Sequence, residues 1–351
     1  MARTRSLCIV VPRQVGEATR KKLSELGLLE RGLHIKREAD ALVIPIRERP
    51  ARGELDADYP TREEEFEPKG PRYRSYKDAV EGVPKELLVH LPTSFDVVGD
   101  VAIVKVPDEL AGHAKAIADA MLKATPSVRA VAWDRGVQGE TRIRDLEQLA
   151  GEGTLETVHR EHGLRFEVDL AKCYFSPRLA TERHRVAGLV RDGERVLDMF
   201  TGVGPFAVLI AATRKVDKLW AVDINETAVR YLRRNIERNG VQGIEPVCGD
   251  AREFVRTVEP VDRVIMNLPH SSWEFLPDAM AACANDATIH YYEITTDPEP
   301  RARAIEALAG QLGRSAKVVS TREVRTYSRT ESHWAFDVRV YVGVGCSVQA
   351  K

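Results

Sequence analysis

The stretch RVLDMFTGVGPF, residues 195–206, decides the fold class of this chain. A short apolar run ends in Asp198, and a turn with Gly202 and Gly204 leads into an apolar helical pattern that begins at Pro205. Glycine lets a ligand approach the backbone closely where a helix begins. The stretch therefore predicts a strand, a ligand-binding turn and a helix. It lacks the GxGxxG fingerprint of dinucleotide sites.

The same order of strand, turn and helix repeats from about residue 166 onward. Strand patterns occur in KLWAVDI, IEPVCGD, DRVIMNLP and ATIHYYEI, and helical patterns in NETAVRYLRRNIERNG, AREFVRTV and EPRARAIEALAGQLG. This alternation predicts an α/β fold, a doubly wound, Rossmann-like and mostly parallel sheet with helices on both faces. The segment HWAFDVRVYVGV predicts a final antiparallel strand.

Two smaller regions come before this sheet. Residues 7–47 predict strand, helix and strand, and residues 48–74, rich in charge, Pro and Gly, predict a linker. Further on, FDVVGDVAIVKVP predicts a β-hairpin and ELAGHAKAIADAMLKA an amphipathic helix. We therefore predict a small N-terminal α+β domain at 1–68, an α+β middle domain at 72–165 and the doubly wound domain at 166–351.

Composition limits the class of protein. The chain has 351 residues, 43% of them hydrophobic, and a formal net charge of −1, so any basic surface for nucleic acid must be local. The 5 cysteines form no CxxC pair, which argues against a disulfide framework or a structural zinc site, and we expect no metal. The apolar run before Pro12 is too short for a signal peptide, and no stretch reaches membrane-spanning length. We expect a cytoplasmic protein.

Polar residues follow the predicted strands at their carboxyl ends, where ligands bind in doubly wound sheets. Asp223 suits a ribose diol, Asp250 is placed to accept a hydrogen bond from an adenine amino group, and Asn267 follows the next strand. With the glycine turn, these signals resemble the class I S-adenosylmethionine-dependent methyltransferases. An NAD-dependent dehydrogenase, the alternative, requires the missing phosphate-binding fingerprint. The predicted cofactor-binding residues are Arg183, Phe200, Thr201, Gly202, Val203, Gly204, Asp223, Ile224, Asp250, Ala251, Asn267 and Pro269.

The segment Asn267-Leu268-Pro269-His270 refines the class of substrate. In amino-group methyltransferases that it resembles, an N/D-P-P-Y/F motif holds the nitrogen that is methylated. This chain has no second proline and no aromatic residue at the fourth position. The departure argues against methylation of the exocyclic amine of adenine or cytosine and suggests another nitrogen.

The whole set of motifs resembles a known family, the archaeal and eukaryotic tRNA (guanine-N1)-methyltransferases that act on position 37. The matching strings are CIVVP with LSELGLL, FDVVGDVAIVKVP, GETRIR, YFSPRLATERHRV, DMFTGVGPF, NLPHSSWEFL and HYYEI. The resemblance covers nearly the whole chain. It implies S-adenosylmethionine as cofactor and tRNA as partner, bound by its anticodon loop and overall shape. It also implies a tRNA-recognition role for the first domain, and we expect a monomer.

The chemistry of the implied reaction needs a base, because N1 of guanine carries a proton at neutral pH. The resemblance places that base at Glu182 and a cation that stabilises negative charge on O6 at Arg142. Asn267 is expected to hold the base edge and Tyr174 to line the pocket. The target base has to leave the anticodon-loop stack to reach such a site.

Basic residues near this region predict local positive potential for tRNA phosphates. They are Arg142, Arg144, Arg178, Arg183, Arg185 and Arg191. Three other functions stay open: a wyosine-pathway aminocarboxypropyl transferase, a bifunctional enzyme that also methylates the wyosine intermediate, and an inactive RNA-binding relative. An intact SPRLATER and Asn267-Leu268-Pro269 favour methyl transfer.

Overall fold

The computed structural model describes residues 3–70, 73–138 and 143–342. Contacts divide the chain into two compact units, residues 1–74 and residues 75–351. The finer division into three domains, with boundaries near residues 68 and 165, stays a prediction. None of the helices among the described residues is long and apolar enough to cross a membrane.

The first unit is a four-stranded antiparallel sheet with one helix. Its elements are β1 (Thr4–Pro12), α1 (Gly16–Glu25), β2 (Lys36–Arg37), β3 (Ala41–Pro45) and β4 (Thr61–Phe66), in the strand order β2-β3-β1-β4. Ile9, Leu23 and Ile44 form part of a buried core between sheet and helix. The predicted order of strand, helix and strand over residues 7–47 is confirmed.

The predicted linker is wrong at residues 61–66, which form the edge strand β4. Its sequence TREEEF buries only Phe66, so it has no apolar alternation that a sequence pattern would reveal. Charge pairs support it instead, because Glu63 lies 2.9 Å from Arg5 and Glu64 lies 2.6 Å from Lys36. Charged side chains of this kind are common on edge strands.

The second unit begins with a mixed four-stranded sheet. Its elements are β5 (Asp96–Val98), β6 (Val101–Val104), α2 (Ala114–Ala124), β7 (Ala130–Gln138) and β8 (Ile143–Gly151), and a separate hairpin, β9 (Glu156–Glu161) and β10 (Leu164–Asp169), follows. The predicted hairpin is confirmed, with Val98 opposite Val101 around a left-handed Gly99. The predicted helix is confirmed for its second part, since residues 108–113 form a 3-10 helix before α2.

A seven-stranded sheet forms the rest of the second unit. Its elements are α3 (Ala180–Leu189), β11 (Arg195–Asp198), α4 (Pro205–Thr213), β12 (Lys218–Asp223), α5 (Glu226–Asn239), β13 (Ile244–Cys248), α6 (Ala251–Phe254), β14 (Val261–Met266), α7 (Ser272–Ala282), β15 (Cys283–Thr295), α8 (Glu299–Gln311), β16 (Arg314–Thr326) and β17 (Ser332–Val342). The strand order is β13-β12-β11-β14-β15-β17-β16. The first five strands run parallel, and β17 is antiparallel to both of its neighbours, as predicted for the final strand.

Alternation along the strands builds two cores, one on each face of this sheet. Val196 belongs to the core under α4 and α5, whereas its neighbour Leu197 belongs to the core under α7 and α8. Side chains alternate along a strand, so helices cover both faces, as the sequence rhythm predicted. The strand order reverses between β11 and β14, which places a ligand crevice at their carboxyl ends.

Candidate active site

A cavity of about 560 Å³ lies at the carboxyl ends of the parallel strands, within the second unit. The β5–β8 sheet contributes Asp96, Asp134 and Arg144 to its wall. Most of the predicted site residues line it. They are Tyr174, Arg183, Phe200, Thr201, Gly202, Asp223, Ile224, Asp250, Ala251, Asn267 and Pro269.

The glycine turn after β11 is fixed by Asp223. One carboxylate oxygen of Asp223 accepts the Gly202 N–H at 2.7 Å, and the other accepts the Asn225 N–H at 2.9 Å. Burial raises the pKa of Asp223, and the two backbone hydrogen bonds partly offset this effect. Gly202 and Gly204 both have left-handed backbone, and a Cβ atom on Gly204 would lie 2.3 Å from Leu232. The turn therefore requires glycine at this position.

Two predicted residues, Val203 and Gly204, stand behind the cavity wall. Val203 is fully buried in the core under α4 and α5, and Gly204 precedes the first turn of α4. Neither contributes to the lining among the residues that the structure describes. Gly204 instead shapes the turn, because its N–H donates to Thr201 O at 2.9 Å.

The ends of β12 and β13 form an apolar and aromatic part of the cavity. Ile224 is 53% exposed and lines the cavity, as do Phe200 of the glycine turn and Phe275 of α7, whose rings meet edge to face at 4.9 Å. Asp250 starts α6, accepts the Arg252 N–H at 2.8 Å and pairs with the Arg252 guanidinium at 2.6 Å, which lowers the pKa of Asp250. An acid beside exposed apolar surface suits an adenine ring with its amino group.

Asp198, at the end of β11, is fully buried. Burial raises its pKa to about 7, although the Thr201 hydroxyl and the Phe200 N–H lie near enough to lower it. Neither the Asp198 carboxylate nor the Thr201 hydroxyl completes a hydrogen bond with any described residue. Buried carboxylates normally have hydrogen-bond partners, so the burial of these two groups without partners destabilises the folded protein.

Asn267 lies on a stiff turn at the end of β14. The Ser272 hydroxyl donates to the carbonyl oxygens of Met266 and Leu268 at 2.9 and 3.0 Å, and the Ile294 N–H donates to Pro269 O at 3.1 Å. The side-chain amide of Asn267 has no hydrogen-bond partner within the described part of the chain. It therefore presents both its donor and its acceptor to the cavity.

Tyr174 and Arg144 also line the cavity, and the Tyr174 backbone lies close to the Gly202 turn. The Arg144 guanidinium lies 5.5 Å from the centre of the Tyr174 ring and within 3.6 Å of the carboxylates of Asp96 and Asp134. The predicted cation at Arg142 lies outside the described residues, so the structure gives no position for it.

Glu182 lies in the first full turn of α3, in a buried polar network. It is 2% exposed, its carboxylate accepts from Arg185 at 2.7 and 2.9 Å, and the Tyr292 hydroxyl donates to it at 2.8 Å. Arg185 also pairs with Asp337, which contacts His290. Glu182 is not among the described residues that line the cavity, so it lies behind the wall rather than on it.

Several predicted arginines are neutralised by carboxylates of the protein itself. Arg183, the neighbour of Glu182, is 1% exposed, pairs with Glu161 at 2.5 Å and donates to Ser176 O at 3.0 Å. Arg144 and Arg185 pair as described above, and Arg178 pairs with Asp96 at 2.5 Å. The expected positive potential from these side chains is therefore reduced. Arg185, and not Arg183, is the arginine that pairs with Glu182, at 2.7 Å.

The sequence patterns missed other polar groups on the cavity wall. Ser176, Arg325 and His333 line it with hydroxyl, guanidinium or imidazole atoms that have no hydrogen-bond partner among the described residues. Arg325 and His333 lie on β16 and β17, and β16 was not predicted at all. The pairing of β17 with β15, which sets His333 opposite Ile294, brings His333 to the carboxyl-end side of the sheet, where the cavity lies. Within the described residues, no group of His, Cys, Asp and Glu side chains is suited to hold a metal ion.

The strand order, with one antiparallel strand next to the edge, and the acids at the ends of β12 and β13 define a class I S-adenosylmethionine-dependent methyltransferase. Sequence profiles match the TRM5/TYW2 methyltransferase domain at residues 157–318, the TYW2 N-terminal domain at 76–154 and the tRNA methyltransferase 5 N-terminal domain at 8–54. The chain is 41% identical to the tRNA (guanine(37)-N(1))-methyltransferase Trm5b of Pyrococcus abyssi, over 95% of its own length and 99% of that protein. It belongs to the TRM5/TYW2 methyltransferase family.

Solved structures agree over nearly the whole chain. A complex of aTrm5 and tRNALeu matches with a TM-score of 0.69 and 33% identity, over 95% of this chain and 99% of that chain. Trm5 of Methanocaldococcus jannaschii in complex with adenosine matches with a TM-score of 0.65 and 32% identity, again over 95% and 99%. The resemblance expected from the motifs and the predicted fold class are confirmed.

A wyosine-pathway relative matches a smaller part. The tRNA 4-demethylwyosine(37)-methyltransferase Taw21 of Saccharolobus solfataricus is 33% identical over 58% of this chain and 78% of that protein. The match to the guanine-N1 enzyme extends over far more of the chain.

Proposed function

We propose that this protein transfers a methyl group from S-adenosylmethionine to N1 of guanosine 37 of tRNA. One feature of the site supports this function above the others. The free amide of Asn267 stands on a rigid turn between the acids of β12 and β13 on one side and the ends of β15–β17 on the other. Asn267 can therefore hydrogen-bond to the edge of a base next to the residues that would hold the nucleoside part of the cofactor. Methyl transfer requires this arrangement, because the methyl carbon of the cofactor and the nitrogen of the base have to lie close together and in line.

The residues that would hold the cofactor fit its chemical groups. Asp223 would accept from the ribose hydroxyls, the surface of Ile224 and Phe275 would pack on adenine, and Asp250 would accept from its amino group. Gly202 leaves room for close approach to the backbone. The sulfonium of the cofactor supplies an activated methyl group, so the protein has to align the nucleophile and needs no metal for this step.

The proton on N1 must leave before the nitrogen attacks. We assign its removal to Glu182 and the stabilisation of O6 to Arg142, with Asn267 holding the base edge and Tyr174 packing on the base. Glu182 is held by Arg185 and Tyr292 behind the cavity wall. Catalytic hydrogen bonds tighten when the substrate binds, so this carboxylate would exchange its bond with Arg185 for the N1 proton.

We propose that tRNA, the partner, enters with its anticodon loop and flips base 37 into the cavity. The first unit would bind another part of the tRNA, and the protein would act as a monomer in the cytoplasm. The internal ion pairs of Arg144 and Arg178 leave phosphate binding to other basic side chains, and Arg191 precedes the amino end of β11, at the opposite edge of the sheet from the cavity.

A methylation assay tests this function. The protein is incubated with S-adenosylmethionine and unmodified tRNA transcripts that carry G or A at position 37, and nucleosides are identified by mass spectrometry. We expect 1-methylguanosine from the G37 transcript and no product from the A37 transcript. Transcripts that carry 4-demethylwyosine test the alternative that the relative Taw21 suggests. Aminocarboxypropyl or carbon-methylated products without 1-methylguanosine would contradict the proposal.

A further inference from the structure

His333 is a buried polar residue that nothing in the protein satisfies. It lies in β17, is 1% exposed, and neither ring nitrogen has a hydrogen-bond partner among the described residues. Its ring contacts the edge of Tyr292, with centroids 5.6 Å apart, and lines the cavity. A buried imidazole without partners destabilises the fold, so its presence on the cavity wall indicates a ligand that supplies them.

Sheet topology places His333 in the half of the cavity away from Asp223 and Asp250. We call the part near Asp223 and Asp250 the cofactor half and the part near His333 and Arg325 the base half. Asp223 and Asp250 follow β12 and β13, whereas His333 lies opposite Ile294 of β15 and Arg325 of β16. The Nε of Arg325 also has no partner among the described residues. The turn of Asn267 lies between the two halves, since β14 pairs with both β11 and β15.

The chemistry of this wall matches one edge of guanine. Burial lowers the pKa of His333 to about 3, and the charges of Arg325 and His270 act in the same direction, so the ring is neutral at pH 7. A neutral imidazole offers one acceptor and one donor, and Arg325 adds a donor. The lactam edge of guanine presents O6 as an acceptor next to N1–H as a donor, whereas adenine presents the reverse order.

We propose that His333, with Arg325 beside it, contacts the O6 and N1–H edge of the target guanine and makes the site select guanosine over adenosine. This proposal rests on the proposed function. Arg325 would face O6 beside Arg142, where negative charge develops once Glu182 has taken the N1 proton, and His333 would hold this edge of the base so that N1 faces Glu182 and the transferred methyl group. His333 is thus a substrate-contacting residue of the base half, in addition to Asn267.

The test compares His333→Phe and His333→Gln with the parent protein. Phe fills the space without polar atoms, so the single-turnover rate on a G37 transcript should fall roughly 10- to 100-fold, the value of a lost hydrogen bond to a charged group. Gln keeps a donor and an acceptor and should stay within about tenfold of the parent. The affinities for S-adenosylmethionine and for tRNA should change less than about threefold, because phosphates dominate tRNA binding.

Two further readouts separate a substrate contact from a structural role. The melting temperature of His333→Phe should equal or exceed that of the parent, because the change removes two unpaired buried nitrogens. A transcript with inosine at position 37 keeps O6 and N1–H and lacks only the 2-amino group, so the variant should slow guanosine and inosine alike. If His333→Phe does not fold, Arg325→Met carries the same expectation for the rate.

Several outcomes would overturn the proposal. They are a parental rate in folded His333→Phe, a loss of cofactor affinity with a normal rate at saturating cofactor, and a rate loss that spares inosine. An unfolded His333→Phe together with a parental rate in Arg325→Met would do the same. A parent protein that does not methylate guanosine 37 would instead refute the proposed function, and with it this assignment.

Discussion

The two halves of the cavity are built in different ways. In the cofactor half, Asp223 and Asp250 are held by backbone N–H groups close to them in the fold, two of which lie only two residues further along the chain. Behind the wall of the base half, Glu182 depends on Tyr292 and, through Arg185, on Asp337, which lie more than 100 residues away. Local turns thus build one half, and long-range packing builds the other.

Both halves of the cavity carry buried polar groups without partners among the described residues, and in the cofactor half these are the Asp198 carboxylate and the Thr201 hydroxyl. Asp223, in contrast, is satisfied by the backbone N–H groups of Gly202 and Asn225. In the base half the unpaired polar atoms belong to His333 and Arg325, which line the cavity. Unsatisfied polar groups at a cavity are typical of sites that are complementary to a substrate rather than to the protein itself.

The largest expected effect is on catalysis in the base half. Glu182→Gln keeps the size and much of the hydrogen bonding of the side chain but cannot accept a full proton. We expect the single-turnover rate to fall roughly 10²- to 10⁴-fold, with tRNA and cofactor affinities nearly unchanged. Rapid-quench kinetics over a range of pH measures this, and higher pH should partly restore the rate as the base ionises.

A matched control for this change is Glu226→Gln. Glu226 is an exposed glutamate in the first turn of α5, so it has the same place in a helix without the buried network. We expect it to change stability by a few tenths of a kcal/mol and to leave the rate intact. A near-parental rate for Glu182→Gln at neutral pH would end its assignment as the base.

Stability should respond to pH through Asp198. Its folded pKa of about 7 lies above the ordinary carboxyl value of 3.8, so the folded protein binds the proton more tightly than the unfolded chain. The part of the free energy of unfolding that depends on a protonated Asp198 is fully present below pH ~4 and is lost as pH rises toward and through pH 7. Asp198→Asn removes the charge, so it should be more stable than the parent by up to roughly 4 kcal/mol at pH 8 and equal to it near pH 4.

Thermal or urea unfolding of both proteins between pH 4 and pH 8 measures this difference. Asp192→Asn, a change at an exposed acid, is the control and should show no such trend. A constant difference between parent and Asp198→Asn over this range would mean that Asp198 ionises normally in the fold.

In the cofactor half, Asp223→Ala should weaken S-adenosylmethionine binding by about 1.5–3 kcal/mol, because the ribose hydroxyls lose a charged acceptor. Isothermal titration calorimetry measures the affinity. Asp217→Ala, before β12 rather than after it, is the control and should bind normally. Unchanged affinity in Asp223→Ala would remove this residue from the site.

The smallest effect is expected from removal of the first unit. A chain that starts at residue 75 retains the whole cavity, whose lining residues all belong to the second unit. We expect its melting transition to stay cooperative and methylation to persist, with weaker tRNA binding. Calorimetry and a titration of tRNA check both points, and a truncated protein without a cooperative transition would show that the units fold together.

Much of the cofactor half was predictable because its signals are local. An acid or amide directly after a strand, and glycine where a helix begins, are visible in the sequence, and Asp223, Asp250 and Asn267 indeed line the cavity. The strand β4 was missed because its charged sequence lacks the alternation that marks a half-buried strand. The strand β16 does alternate half-buried and exposed residues from Arg314 to Val319, but a half-buried Arg314 and an exposed Val319 hide this alternation in the sequence.

The sequence by itself determined the doubly wound sheet, the glycine turn and the family, because strand and helix periods and short motifs depend on neighbouring residues. Only the tertiary structure decided that Glu182 lies behind the cavity wall with Arg185, that Arg183 is neutralised by Glu161, and that His333 faces the cavity unpaired. Burial and ion pairing arise where distant strands and helices meet, and no local period records which side chains will meet there.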